Sequence, residues 1–119
     1  MPADNRLARI NEEIARELGA LIPRLKDPRV SGLVSVTRVD TTRDLRKAKV
    51  YISAYPHNKE VLAGLTSASG FLRRGLCEAL SLRLSPELQF IGDDSIERGA
   101  RVLGVLKSLQ DGGDARDNH

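Results

Sequence analysis

Residues 47–55 read Lys47-Ala48-Lys49-Val50-Tyr51-Ile52-Ser53-Ala54-Tyr55. Ala48, Val50, Ile52 and Ala54 alternate with Lys47, Lys49, Tyr51, Ser53 and Tyr55, so one face is apolar and the other basic and aromatic. A period of two with this contrast belongs to a half-buried β-strand. Just upstream, Asp40-Thr41-Thr42-Arg43-Asp44 has turn composition. Before that turn, Leu33-Val34-Ser35-Val36-Thr37-Arg38-Val39 is β-branched and predicts a partner strand, giving a hairpin. Val34 and Val36 share a parity that Val39 breaks, which calls for a bulge or for burial on both faces near the end.

Helical periods flank the hairpin. From Asp4 to Ile22, Leu7, Ile10, Ile14, Leu18 and Leu21 recur at steps of three and four. Asp4 or Asn5 is placed to cap that helix, and Pro23 disfavours its continuation. After Tyr55, Pro56 ends the strand and Asn58 is placed to cap the next helix. Val61, Leu62, Leu65, Phe71, Leu72, Leu76, Leu80 and Leu84 supply helical apolar positions over 59–84. The spacing slips at Thr66-Ser67-Ala68-Ser69-Gly70, where weak helix formers intervene, predicting two helices or one kinked at Gly70. Pro86 opens a short third strand, Glu87–Ile91. Gly92-Asp93-Asp94-Ser95 then turns into a last helix carrying Ile96, Ala100, Leu103 and Leu106 on one side, and 111–119 is expected to be a flexible tail. The order α-β-β-α(kink)α-β plus a C-terminal helix predicts an α+β fold, a three-stranded sheet with helices on one face.

The chain has 119 residues, enough for one domain with a real core. Its aromatics are Tyr51, Tyr55, Phe71 and Phe90, so the core must be aliphatic and stacked aromatic platforms are not expected. The single cysteine, Cys77, excludes an internal disulfide and a thiolate zinc cluster. The N-terminus has no apolar run before its first charges, and no stretch is long and apolar enough to span a bilayer. A cytoplasmic protein without a membrane partner is expected. The net charge of +3 is unevenly placed: residues 1–83 carry 15 basic and 9 acidic side chains, residues 84–119 carry 4 and 7. A basic body therefore bears an acidic end.

Templates for catalysis fail in turn. His57 sits in a turn and His119 ends the chain, with no metal-ligand spacing between them. Gly-x-x-x-x-Gly-Lys-Ser/Thr, Gly-x-Gly-x-x-Gly and Gly-x-Ser-x-Gly are all absent. Asp93 and Asp94 could hold a cation for a small metal-dependent hydrolase, but a helix N-terminus favours acids there anyway. No enzyme activity and no cofactor are expected. What remains is positive charge. Arg43, Arg46, Lys47 and Lys49 cluster at the hairpin and on the outer face of the second strand. Arg73 and Arg74 lie one turn past Gly70, with Arg83 further on. Each alone reads as solvation of an exposed face. Together, a helix starting at a glycine lets a phosphate approach backbone N–H groups while arginines supply charge. RNA-binding KH domains clamp backbone with a Gly-rich loop between two helices. This chain lacks Gly-x-x-Gly, and its candidate for that place is Ala68-Ser69-Gly70, a weak motif alone.

A set of ordered motifs resembles the ribosome-binding factor A family, bacterial factors of small-subunit assembly. The stretches are Arg9-Ile10-Asn11-Glu12-Glu13-Ile14, Asp27-Pro28-Arg29, Val34-Ser35-Val36-Thr37-Arg38-Val39 and Arg43 through Ser53. Gly70-Phe71-Leu72-Arg73, Pro86-Glu87-Leu88-Gln89-Phe90 and Asp94-Ser95-Ile96-Glu97-Arg98-Gly99 complete it, covering about residues 6–106. The resemblance implies a type II KH-like domain over 1–110, whose interhelical kink is Ala68, Ser69 and Gly70 in place of Gly-x-x-Gly. It implies a monomer that binds the 30S ribosomal subunit precursor and its 16S rRNA near the 5′ end, late in maturation and with importance in the cold. An assembly GTPase is a further partner it allows. Under it, Arg43, Arg46, Lys47 and Lys49 position the RNA backbone, Ser69 and Gly70 allow close approach, and Arg73, Arg74 and Arg83 contact phosphates. Gly75 departs from a good helix and predicts fraying there, and the short acidic-leaning tail predicts no RNA-binding extension. The alternative is a protein-interaction module docking on a ribosomal or regulatory protein through the last helix (Ile96, Leu103, Leu106).

Overall fold

The stripe of the first helix is the side of it that disappears. Ile14 and Leu18 are fully buried and Leu21 nearly so, while Arg6, Arg9, Glu12 and Arg16 stay exposed or half-exposed. The computed structural model describes residues 2–83, 85–95, 98, 99, 101 and 103. Helix α1 spans Pro2–Leu21 and passes into a 3-10 turn, Ile22–Arg24, where Leu25 N–H donates to the Ile22 carbonyl at 3.0 Å. Asp4 and Asn5, expected at its start, therefore lie within the helix. Pro2 suits a helix start because it has no N–H to leave unpaired.

Strand β1 (Leu33–Thr41) pairs antiparallel with β2 (Lys47–Tyr55), and the register slips between Val36 and Arg38. Thr37 is the bulged residue, and the slip brings Val39 and Thr41 onto the buried face. β1 runs past Val39 to Thr41, whose N–H is taken by Asn11 Oδ1 of α1 at 3.0 Å. Strand β3 (Glu87–Gly92) pairs parallel with β2, which is central in the order β1-β2-β3. Ser53, expected on the open face with the lysines, is fully buried. The chain leaving β3 crosses that face: Thr37 Oγ1 donates to Asp93 Oδ2 at 2.7 Å, and the Ser95 and Ser53 hydroxyls lie 3.3 Å apart.

The crossover between β2 and β3 is two helices, α2 (Asn58–Ser67) and α3 (Ser69–Leu80). They break at Ala68 (φ −92°, ψ 8°), not at Gly70. Thr66 Oγ1 donates back to the Leu62 carbonyl at 2.9 Å, a bond that competes with regular helix. Asn58 is the first helical residue rather than the cap, which is His57; Asn58 Nδ2 donates to the Ala54 carbonyl at 3.5 Å. α3 stops four residues before Leu84 because Ser81 adopts the left-handed conformation at φ 53°. It does not fray at Gly75. A Cβ there would lie 2.8 Å from Leu21 Cδ1, so the glycine is where α3 closes on α1.

The core is aliphatic. Ile14, Leu18, Val50, Ile52, Val61, Leu65, Leu72 and Leu76 fill the space between the helices and one face of the sheet. Phe90 only borders it, and Phe71, expected on the apolar stripe of α3, is 38% exposed. Cys77 is half-buried. A helical turn begins at Ser95, where Arg98 N–H bonds to the Asp94 carbonyl at 2.8 Å. Within that segment Leu103 is 67% exposed. Leu84, Ile96, Ala100, Leu106 and the tail 111–119, with His119, lie outside the described residues.

Candidate nucleic-acid interface

The hairpin tip is a built turn. Thr42 N–H donates to the Lys47 carbonyl at 2.8 Å and Leu45 N–H to the Thr42 carbonyl at 2.9 Å. Asp44 Oδ1 accepts from the Thr42 hydroxyl at 2.7 Å and from Arg46 N–H at 3.1 Å. The Thr42 hydroxyl first, then the Arg46 N–H, hold the Asp44 carboxyl below its ordinary range, so it stays charged inside the turn. Leu45 takes the left-handed conformation at φ 60°, turning the chain so that Arg43 and Arg46 project. Arg46 Nε stands 3.9 Å from Asp44, and Arg43, Asp44, Arg46 and Lys47 share one surface hollow with Thr42.

Lys47 joins that hollow to a larger cleft of about 620 Å³, also lined by Thr41, Lys49, Thr66, Glu87, Gln89 and Phe90. Thr66 belongs to the last turn of α2, so the α2–α3 junction stands beside the hairpin end of the sheet. The parallel β2–β3 pairing fixes this, because it places the start of β3 beside the start of β2. Glu87 N–H donates to the Arg46 carbonyl at 2.8 Å. Two residues earlier, Ser85 accepts from Arg73: Nε to Oγ at 3.2 Å and Nη2 to the carbonyl at 3.0 Å. Arg73 therefore ties α3 to the segment entering β3. In register, Lys47 faces Glu87 and Lys49 sits between Asp40 and Gln89, which tempers the basic face of β2.

At the junction no side chain caps α3 and its first turn holds no acid. The dipole of α3 at that end thus favours an anion. Gly70 is exposed, with no atom but Arg74 Nη1, at 3.9 Å, near where a Cβ would stand. Arg74 thus leans over the opening of α3, while Ser69 beside it is half-buried. Arg83 is exposed beyond the end of α3. The structure adds two cations that sequence spacing could not place. Arg24, after α1, shares a groove with Arg74, and the Arg38 guanidinium lies 4.2 Å from the centre of the Tyr51 ring on the open face. Both depend on contacts between separate elements.

The acidic pair is used locally. Asp93 Oδ1 accepts Ser95 N–H at 2.9 Å and Oδ2 the Thr37 hydroxyl, and these bonds, the hydroxyl first, lower its pKa. Asp94 pairs with Arg98 at 3.1 Å. Among the described residues, no three His, Cys, Asp or Glu side chains converge as metal ligands, and no helix is long and apolar enough to cross a membrane.

A family model described as ribosome-binding factor A matches residues 6–106. Ribosome-binding factor A of Clostridium tetani is 44% identical over 116 residues, 94% of this chain and 96% of that protein. The crystal structure of ribosome-binding factor A from Thermus thermophilus superposes with a TM-score of 0.68 at 28% identity, covering 72% of this chain and 94% of that one. A homology model of the Thermus thermophilus factor, fitted into a cryo-EM map of its complex with the 30S subunit, gives a TM-score of 0.61 at 28% identity, covering 68% and 88%. The KH-like fold of these neighbours is the fold observed here.

Proposed function

The chain belongs to the ribosome-binding factor A family, and on that premise we propose that it is a non-enzymatic assembly factor for the small ribosomal subunit. It binds the immature 30S subunit through the phosphate backbone of its 16S rRNA near the 5′ end, late in maturation. It works as a monomer in the cytoplasm, and an assembly GTPase is its natural partner for release. One observation carries the RNA contact. The hairpin cations Arg43, Arg46, Lys47 and Lys49 adjoin a cleft that Thr66, two residues before the α2–α3 break, also lines, and the uncapped start of α3, with Ser69, Gly70 and Arg74, follows directly from that break. Arg83 extends that charge beyond α3, and Arg73 holds α3 against the strand entry.

The test is co-sedimentation with immature small subunits. Because Arg73 is bonded to Ser85, Arg74 and Lys47 are the cleaner targets. Lys47→Glu with Arg74→Glu is expected to abolish co-sedimentation while the melting temperature stays within a few degrees of the parent. A double variant that sediments like the parent would overturn the interface. Crosslinks spread evenly over the rRNA would overturn its location at the 5′ end. A second reading, docking on a protein through the last helix, is favoured by Leu103 at 67% exposure. Association that survives nuclease and ignores salt would select it.

A further inference from the structure

Behind the α3 opening lies a groove of about 420 Å³ between α1 and α3. That is within the ~300–1,000 Å³ of ordinary small-ligand sites. We propose that this groove holds one unpaired nucleotide of the bound RNA, its base stacked on Phe71 and its phosphate between Arg24 and Arg74, a subsite that rests on the RNA-binding function above. Phe71 is 38% exposed although it follows the junction directly and the helix had core positions to offer. Its neighbours Leu72 and Leu76 are fully buried, so the phase of the helix turns the partly exposed ring toward the groove rather than into the core. The floor beside it is Leu21 and Gly75, where the missing Cβ keeps the surface low. An aromatic ring over a shallow apolar floor is what a base needs, since every base has a π-face to offer.

Charge selects a nucleotide over an apolar ligand. Arg74 leans toward Gly70 at the N-terminal end of α3, and Arg24 lines the same groove. Neither makes an ion pair with another described residue. Glu17 and Glu78 also line the groove. They exclude a phosphate from their vicinity but can accept from an exocyclic amino group, as carboxylates do with cytosine. The phosphate is thereby confined to the arginines and an amino-bearing base to the ring.

The experiment measures binding of the full chain to a short fluorescent oligocytidylate, alongside co-sedimentation with immature small subunits. Phe71→Ala is expected to weaken oligocytidylate binding about 10-fold or more, in the range of one lost base stack, without changing its salt dependence. Phe71→Tyr restores binding and Phe71→Leu does not. If Leu restores it, the ring acts only as apolar filler and the proposal falls. It falls equally if the parent does not bind the probe, or if Phe71→Ala binds it as the parent does. Loss of co-sedimentation in Phe71→Ala with unchanged probe binding would assign the groove to a protein, also overturning it. Failure of the parent to bind subunits, with Phe71-dependent probe binding intact, would instead remove the assembly function and leave this subsite standing.

Discussion

Gly64 and Gly70 flank the α2–α3 break in opposite surroundings. A Cβ on Gly64 would lie 2.6 Å from Val30 Cγ2 and 3.4 Å from Arg29 Cβ, because the loop after α1 packs onto α2 there. Val30 is β-branched and cannot rotate away cheaply. Gly64→Ala is thus expected to lose about 1–2 kcal/mol, overpacking of ~1–3 kcal/mol offset by up to ~1 kcal/mol of helix propensity. Gly70 has open space and no left-handed φ, so Gly70→Ala is expected to gain about 0.5–1 kcal/mol when both variants are unfolded in urea beside the parent. Binding to RNA should move against stability, since the added methyl stands where a phosphate must approach. A Gly70→Ala protein that is both more stable and fully competent would show that no backbone comes close there. The break beside Gly70 was legible in the sequence because the helical spacing slips over 66–70, although it falls at Ala68. Gly64 was not, since its constraint comes from residues 27–30, which no local pattern connects to α2.

Elements with strong periods were the legible ones: β2 with its alternation and α1 with its stripe, while the parity of Val39 left a bulge or two-sided burial open and the register slip decides for the bulge. Boundaries set by unusual residues were not. Ser81 and Leu45 take left-handed φ values that sequence reasoning reserves for Gly or Asn, so the end of α3 and the form of the hairpin turn had no signal. The loop that docks on Gly64 carries its own device. Asp27 accepts Arg29 N–H at 2.9 Å and Arg29 Nε at 3.0 Å. The Arg29 side chain, then its N–H, lower the Asp27 pKa from 3.8 to about 2. A carboxyl whose folded pKa is depressed adds stability that is complete above its ordinary value. That stability is lost as pH falls from 3.8 through about 2. Asp27→Asn keeps the shape and removes the charge. Its deficit in urea midpoint against the parent is expected to be full near neutral pH and to vanish toward about pH 2. A deficit that stays constant across that range would mean the ion pair does not hold the loop.

For the molecule as a whole, what matters is how many of its cations are free to meet phosphate. Counting by sequence position makes a basic body of 1–83, but spatial partners sort that charge unequally. Arg29 is committed to Asp27, Arg73 to Ser85, and Arg38 shares itself between Asp40 at 3.8 Å and the Tyr51 ring. Among the cations assigned to the RNA, Arg46 stands 3.9 Å from Asp44, while Arg43, Lys47, Lys49, Arg83 and Arg74, which shares its groove with Arg24, make no ion pair among the described residues. With ~5 phosphates neutralised on single-stranded RNA, log K should fall against log salt with a slope of about −3.5. The arrangement makes a further demand, because Arg74 and Arg83 belong to α3 and its exit, and the other three to the hairpin and β2. Replacing Arg74 and Arg83 by Gln removes two of the five, so the slope should relax to about −2.1 while the hairpin still anchors the complex. The hairpin triple variant (Arg43, Lys47 and Lys49 to Gln) should relax it further, to about −1.4. Slopes measured by filter binding over a salt series decide between one continuous interface and one dominant patch. If the Arg74/Arg83 variant keeps the parent slope, α3 touches no phosphate and the RNA is held by the hairpin alone.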